Sequence, residues 1–569
     1  MNRRIRFLYI ALALILIAGC KKGIVSQSTV VNPSSRIDSL ISVMTLDEKI
    51  GQMTLYTTDW GSTGPTIREG YQEDIRKGTC GALFNSHTAA FTRQLQEIAV
   101  KESRLGIPLI FGYDVIHGYK TIFPIPLAES CSWDLQAIEL AASVAAAEAS
   151  AAGLHWTFAP MVDITREPRW GRVMEGAGED PYLGSLIARA RVRGFQGKNF
   201  DNADKVIACI KHFAGYGAPI GGRDYNTVDM SERTFRDIYL PPYKAGIEEG
   251  AMSIMTSFND FDGVPATANK WLLQDLLRGE MGFDGFVVTD YTSINEMVNH
   301  GYAVDDAHAG DLAVNAGVDM DMQCAVFQRF LKQAVAEKRV SEKTIDASVR
   351  RILEAKERLG LFKDPYRFSN EAREKSVIMS AKNMEAARDV ARKSIVLLKN
   401  EKNTLPLKNS VRSIALVGPL ADDKAQLLGA WSGSGEGEKC ISLLEALTER
   451  SKSSGFMLKH AKGCAIEGND QSGFTSAVTI AREADVIIAV VGEHRDMSGE
   501  AAARGDLSLP GVQEEFLKVL VATGKPVVVV LMNGRPLTIP WMAENVSSIL
   551  ETWYLGTQGG PAISDVLFG

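Results

Sequence analysis

Short apolar runs punctuate the chain between residues 36 and 360, with helix-like stretches between them. The runs are Gly81–Phe84, Pro108–Tyr113, Thr157–Met161, Val206–Ile210, Ser253–Phe258, Gly285–Thr289 and Gly317–Met320; the intervening segments, such as Gln136–Ala152 and Trp271–Arg278, are amphipathic or rich in alanine. Strands alternating with helices over this length predict an α/β domain built on a parallel sheet. Their number and spacing fit a (β/α)8 TIM-like barrel better than a five-stranded open sheet. Polar residues fall at the end of each run: Asn85, Asp114, Asp163, Lys211 with His212, Asn259, Asp290 and Asp321. A parallel strand is buried on both faces, so a charge is costly within it and tolerable only at its end. A single strand-end aspartate is ordinarily a loop residue or helix N-cap. A polar end on every run instead points to the C-terminal mouth of a barrel, where such folds build their sites.

A second alternating pattern follows residues 363–382, which lack periodicity and read as a linker. Its β-branched runs are Ile395–Leu398, Ile414–Val417, Val486–Val491, Val527–Leu531 and Ile549–Trp553, and several precede a glycine (Gly418, Gly492, Gly534). This predicts a second parallel α/β domain, an (α/β)6 sandwich. The glycine-rich stretch Gly433–Gly437 matches neither dinucleotide nor P-loop spacing. The sequence ends at Val566–Gly569, directly after an apparent helix, where a parallel sheet calls for a further strand; the second domain is therefore expected to be incomplete. The expected boundaries are 1–20, 21–35, 36–362, 363–382 and 383–569.

The first of these segments is of a different kind. Three arginines in residues 1–6, an apolar run from Phe7 to Ala18 and the closing Leu16-Ile17-Ala18-Gly19-Cys20 have the order of a secretory signal, and the run is short for a membrane span. Its last five residues resemble a bacterial lipobox, which implies a lipid on Cys20, a polar tether over residues 21–35 and a periplasmic or cell-surface lipoprotein. The formal net charge of −7 argues against nucleic acid as a partner. The six remaining cysteines, Cys80, Cys131, Cys209, Cys324, Cys440 and Cys464, are scattered and predict isolated thiols. No metal-ligand spacing is present, and neither a metal nor a cofactor is expected.

Hydrolysis of a glycosidic bond requires two carboxyl groups flanking the anomeric carbon, one protonated and one ionised, and cations to grip hydroxyls. Candidates cluster at the strand ends. Five motifs, in order over some 400 residues, then resemble glycoside hydrolase family 3, in particular its periplasmic β-glucosidase branch: Phe111–Gly118, Pro168–Arg172 with Glu179-Asp180-Pro181, Lys211–Gly217, Gly285–Tyr291, and Ser498-Gly499-Glu500 with Arg504–Pro510. The resemblance implies an exo-acting, retaining β-glucosidase acting on terminal β-D-glucosyl residues by double displacement. Asp290 would be the nucleophile and Glu500 the acid/base, with Glu493 a rival donor. Asp114 would accept from sugar hydroxyls, Lys211, His212 and Arg172 would donate to them, Tyr291 would be a sugar platform and Met255 would line the pocket or belong to ordinary core. Arg169 and Glu175 read as loop scaffolding. Related hexosaminidases carry a histidine shortly after the Lys-His strand; Gly221–Asn226 has none, which disfavours that branch. The alternatives are a β-xylosidase or other exo-β-glycosidase of the family and, from the apparent truncation, a glycan-binding lipoprotein without activity.

Overall fold

The computed structural model describes residues 33–58 and 67–569; Cys20 and the signal and tether assignments before residue 33 lie outside them. Eight strands form the first layer: β1 (Thr54–Thr57), β2 (Ala82–Phe84), β3 (Ile110–Tyr113), β4 (Trp156–Thr157), β5 (Cys209–Phe213), β6 (Ser253–Thr256), β7 (Phe286–Val288) and β8 (Asp321–Met322). One parallel sheet runs β8-β1-β2-β3-β4 and another β5-β6-β7. Parallel bridges Trp156↔Ile207 and Val288↔Met320 join the two, so the sheet curls into a ring. The apolar interior of these strands packs against helices such as Leu135–Ala151 and Pro181–Phe195, whose inner faces are buried.

The strands depart from the sequence pattern in places: β4 spans Trp156–Thr157 where the run Thr157–Met161 was expected, and β8 spans Asp321–Met322 where Gly317–Met320 was expected. Strand β1, Thr-Leu-Tyr-Thr, was not among the predicted runs because its two threonines break the apolar signal, yet all four residues are buried. Strand β5 begins at Cys209 rather than Val206 and continues through Phe213, so Lys211 and His212 sit within it, after a register shift beyond Ile210. Away from the mouth, Asp319 is fully buried and accepts from Arg278 Nη2 (2.7 Å), Arg351 Nη1 (2.8 Å), Ser348 Oγ (2.7 Å) and the Val287 amide (2.8 Å). A buried carboxylate persists only with such a complement of donors.

Residues 363–382 hold the helix Glu371–Val377 and the start of the helix Ala381–Ser394. The second domain is a six-stranded sheet: β9 (Val396–Asn400), β10 (Ser413–Val417), β11 (Met457–Ala461), β12 (Val486–Gly492), β13 (Val527–Met532) and β14 (Ser548–Glu551), ordered β9-β14-β13-β12-β10-β11. It is parallel except for β9, which runs antiparallel to β14. Strand β11 escaped the sequence reading because Met-Leu-Lys-His-Ala is half polar and mostly exposed, as an edge strand tolerates. Alternate residues of the central strands face two cores: Ile488, Val490, Val528 and Val530 join the core shared with the barrel, whereas Ile487, Ala489, Val527 and Val529 pack under Phe516 and Leu517. That coverage of both faces explains the nearly continuous apolar runs. The six cysteines are free thiols, five of them buried.

The domains interlock through backbone bonds, among them Ile125 N to Tyr554 O (3.0 Å) and Thr557 N to Ile122 O (2.9 Å). The glycine-rich stretch serves this docking: a Cβ on Gly433 would lie 2.8 Å from Gly118 O, and Ser434 N donates to Tyr119 O at 2.9 Å. Among the described residues, no helix is long and apolar enough to cross a membrane.

Candidate active site

Strands β3, β5 and β7 and the turn Gly171–Glu175 bring Asp114, Lys211, His212, Arg172 and Asp290 together at the barrel mouth. Lys211 Nζ lies 3.5 Å from Asp114 Oδ1, and both side chains are buried. Arg172 is also buried; the one-turn spacing places Glu175 against it, with Nε to Oε1 at 2.8 Å and Nη2 to Oε2 at 3.1 Å. This fork-to-fork pair fixes the guanidinium plane. Nη2 of Arg172 also donates to His212 Nε2 at 2.9 Å.

His212 is held from its other side. Its Nδ1 and its backbone N each lie 2.9 Å from Asp163 Oδ2, and the Tyr243 hydroxyl donates to Asp163 Oδ1 at 2.5 Å. Since Nε2 accepts from arginine, the ring proton resides on Nδ1 and points at Asp163. Burial, with the Arg172 and Lys211 cations adding to it, pushes the His212 pKa well down, in keeping with a neutral ring. Burial raises the Asp163 carboxyl to about 6 against the pull of its Tyr243 and His212 hydrogen bonds.

Asp290 follows β7. Its Oδ1 accepts the Tyr291 amide at 2.7 Å, whereas Oδ2 has no hydrogen-bond partner and sits 3.6 Å from His212 Nε2. Burial raises this carboxyl's pKa, the Arg172 and Lys211 cations oppose the rise, and the charge of Glu500 adds to it. A two-carboxyl hydrolysis starts from an ionised nucleophile, so burial and the Glu500 charge work against Asp290 in that role while the two cations work for it. Tyr291 is partly buried, its ring edge-on to Phe84 at 6.4 Å. Met255 is buried in register with Val288 and belongs to the barrel core.

Glu500 arrives from the second domain. Its Oε1 accepts from the Tyr225 hydroxyl at 2.5 Å and lies 3.8 Å from Arg172 Nη1. The loop carrying it is stitched to the barrel by Gly499 N to Gly171 O (2.8 Å) and Arg504 N to Arg169 O (3.0 Å). Glu493, the rival donor, is fully buried, paired with Arg504 and with Arg535 Nε at 3.1 Å, and accepts the Gly534 amide at 3.1 Å. These partners occupy its carboxylate and leave it facing its own domain.

Some of the site was not anticipated. Trp431 stands 5.5 Å from the Arg172 guanidinium and 5.4 Å from Lys211 Nζ, within cation–π range of both. His117 bridges to it, its ring nitrogens each 2.9 Å from Phe123 O and Ala430 O. Trp431, Tyr225, Arg495, Ser498 and Glu500 line an open cavity of about 570 Å³. No spacing rule singles out a lone tryptophan before a glycine-rich loop. By contrast, three of the predicted strand-end residues are engaged within the barrel: Asn85 Nδ2 donates to Thr57 Oγ1, Asn259 Nδ2 to Ala214 O, and Asp321, which opens β8 rather than closing a strand, accepts from the Cys324 and Phe327 amides. Among the described residues, no cluster of His, Cys, Asp or Glu could hold a metal.

Residues 45–355 match the glycosyl hydrolase family 3 N-terminal domain and residues 395–569 its C-terminal domain. The chain belongs to glycosyl hydrolase family 3. Among similar members of that family is a periplasmic beta-glucosidase of Salmonella typhimurium, 41% identical over 94% of this chain and 72% of that protein. A beta-xylosidase of Formosa agariphila is 37% identical over 94% of this chain and 71% of its own length. Among solved family 3 structures, a beta-glucosidase from Listeria innocua in complex with isofagomine superposes with a TM-score of 0.89 at 40% identity, covering 94% of this chain and 74% of that one.

Proposed function

We propose that this family 3 glycoside hydrolase is an exo-acting, retaining β-glucosidase that releases terminal β-D-glucosyl residues by double displacement. The observation that carries the reading is a pair of carboxyls from two domains, Asp290 and Glu500, set around one buried cation, Arg172, with Asp290 Oδ2 lacking any hydrogen-bond partner. Asp290 Oδ2 attacks the anomeric carbon while the Glu500 proton passes to the departing oxygen. Glu500 then takes a proton from water, whose oxygen displaces Asp290. Arg172 and Lys211 favour the ionised nucleophile, Asp114 and Lys211 meet sugar hydroxyls, and Tyr291 and Trp431 offer apolar faces to a pyranose. With its Nδ1 proton committed to Asp163, His212 contributes an acceptor and an orienting contact to Arg172 rather than the donor expected from the sequence.

The supporting relatives include beta-glucosidases, the Salmonella protein among them; the Formosa beta-xylosidase keeps a xyloside as the second reading. Turnover of aryl β-glucoside, β-xyloside and β-N-acetylglucosaminide by the purified protein separates these. Preference for the glucoside is expected, and preference for either other sugar would overturn the assignment. Sugar binding without turnover would favour the glycan-binding alternative. A periplasmic location accords with the named Salmonella relative. Export through the signal segment and lipid attachment at Cys20 are proposed with it, and loss of fatty-acid labelling in Cys20→Ala is the expected check.

A further inference from the structure

The loop bearing Glu500 is tied at its flanks, by Gly499 N to Gly171 O (2.8 Å) and by Arg535 Nη2 to Ala502 O (2.8 Å). Gly499 and Ala501, on either side, both adopt left-handed backbone, with φ of 102° and 57°, and the side chain of Glu500 is partly exposed. Further restraints at Glu500 and Ala501 come from the barrel, from two consecutive residues that follow strand β5. Tyr225 donates its hydroxyl to Glu500 Oε1 at 2.5 Å. Asp224 Oδ2 accepts the Ala501 amide at 2.6 Å. Asp224 is itself anchored, its Oδ1 accepting from Trp170 Nε1 at 2.5 Å and from the Tyr216 hydroxyl at 3.0 Å. Tyr225 is held in left-handed backbone at φ 59°, and its ring lies edge-on to Phe258 with centroids 4.9 Å apart. A non-glycine residue kept in that region marks a conformation imposed by its surroundings.

We propose that Asp224 and Tyr225 form a barrel-borne clasp that positions the Glu500 carboxyl and selects which of its oxygens carries the catalytic proton; this rests on the assignment of Glu500 as acid/base. Oε1 already receives the phenol proton and faces the Arg172 guanidinium, so negative charge is favoured there. The acid proton is left to Oε2, the oxygen free to address a leaving group. Burial, with the Glu500 charge adding to it, pushes the Tyr225 pKa up, so the phenol remains a donor throughout the working range. Tyr225 is thus a positioning residue: no bond to substrate is required of it.

A lost acid contact matters most for a leaving group that cannot depart unaided. The test compares Tyr225→Phe, Glu500→Ala and the parent on a dinitrophenyl β-glucoside, whose aglycone leaves without a proton, and on a phenyl β-glucoside, whose aglycone needs one. General-acid assistance contributes about 10²–10⁴-fold. Tyr225→Phe should therefore reduce kcat/KM for the phenyl substrate by at least about ten-fold more than for the dinitrophenyl one. A Tyr225→His variant, which keeps a donor at the ring edge, should recover part of that difference. Equal losses on both substrates would mean a merely structural residue, and no loss would mean an idle contact; either overturns the clasp. Glu500→Ala reports on the underlying assignment: if azide fails to restore its turnover of the dinitrophenyl substrate, the acid/base reading fails, whatever Tyr225 does.

Discussion

Replacing Gly171 with alanine puts the docking of the two domains under a defined load. A Cβ on Gly171 would stand 2.1 Å from Gly499 O and 2.8 Å from Ala502 O, both backbone atoms of the loop that carries Glu500. A carbon–oxygen contact needs about 3.3 Å, so the loop must retreat by about 1.2 Å. Rotation cannot relieve this, because the obstacle is backbone pinned by Gly499 N to Gly171 O and by Arg535 Nη2 to Ala502 O. Forced overpacking costs about 1–3 kcal/mol, and an ångström of misplacement costs about 100-fold in rate. Gly171→Ala should accordingly lower kcat/KM on a phenyl β-glucoside about 100-fold, with a modest fall in Tm by scanning calorimetry. Gly505→Ala is the control, since a Cβ there meets nothing within 4 Å; it should leave both quantities near the parent. If Gly171→Ala kept its rate within about three-fold of the parent, the inference from proximity to rate would be wrong.

Asp319→Asn should destabilise the barrel by about 3–5 kcal/mol, because it leaves Arg278 and Arg351 without their shared buried carboxylate; urea unfolding measures this, and an unchanged midpoint would contradict it. Glu493→Gln should lower stability through the unpaired Arg504 and Arg535 and show no azide rescue, in contrast to Glu500→Ala; rescue of the Glu493 variant would move the acid/base role. The pH profile carries a sign. Asp290 is raised above the ordinary aspartate value and is inert when protonated, so kcat/KM should fall as pH drops through a value above about 4. An acidic limb at or below that value would contradict the buried environment of Asp290.

Much of the barrel was legible because parallel strands write themselves as apolar runs with polar ends. Strands β1 and β11 were not, each for want of an apolar run: threonines flank the buried Leu55 and Tyr56, and β11 is an exposed edge. Within the site, the motif residues Asp114, Arg172, Lys211, His212 and Asp290 do converge at the mouth. The strand-end rule alone overreached at Asn85 and Asn259, whose amide nitrogens donate within the barrel, and at Asp321, which accepts backbone amides. What sequence could not supply was contact across the domain boundary. Trp431 reaches Arg172, Gly171 admits the Gly499 carbonyl, and Asp224 with Tyr225 grips the loop of Glu500; each depends on segments far apart in the chain, with no spacing to reveal them.

In the proposed reaction Asp290 forms a covalent bond to glucose. Incubation with a deoxyfluoroglucoside, whose fluorine slows breakdown of the glycosyl-enzyme, followed by peptide mass mapping, tests it directly. One added deoxyfluoroglucosyl group per chain is expected, on the peptide bearing Asp290, and none in Asp290→Asn. A label on another carboxylate, or full turnover by Asp290→Asn, would contradict it.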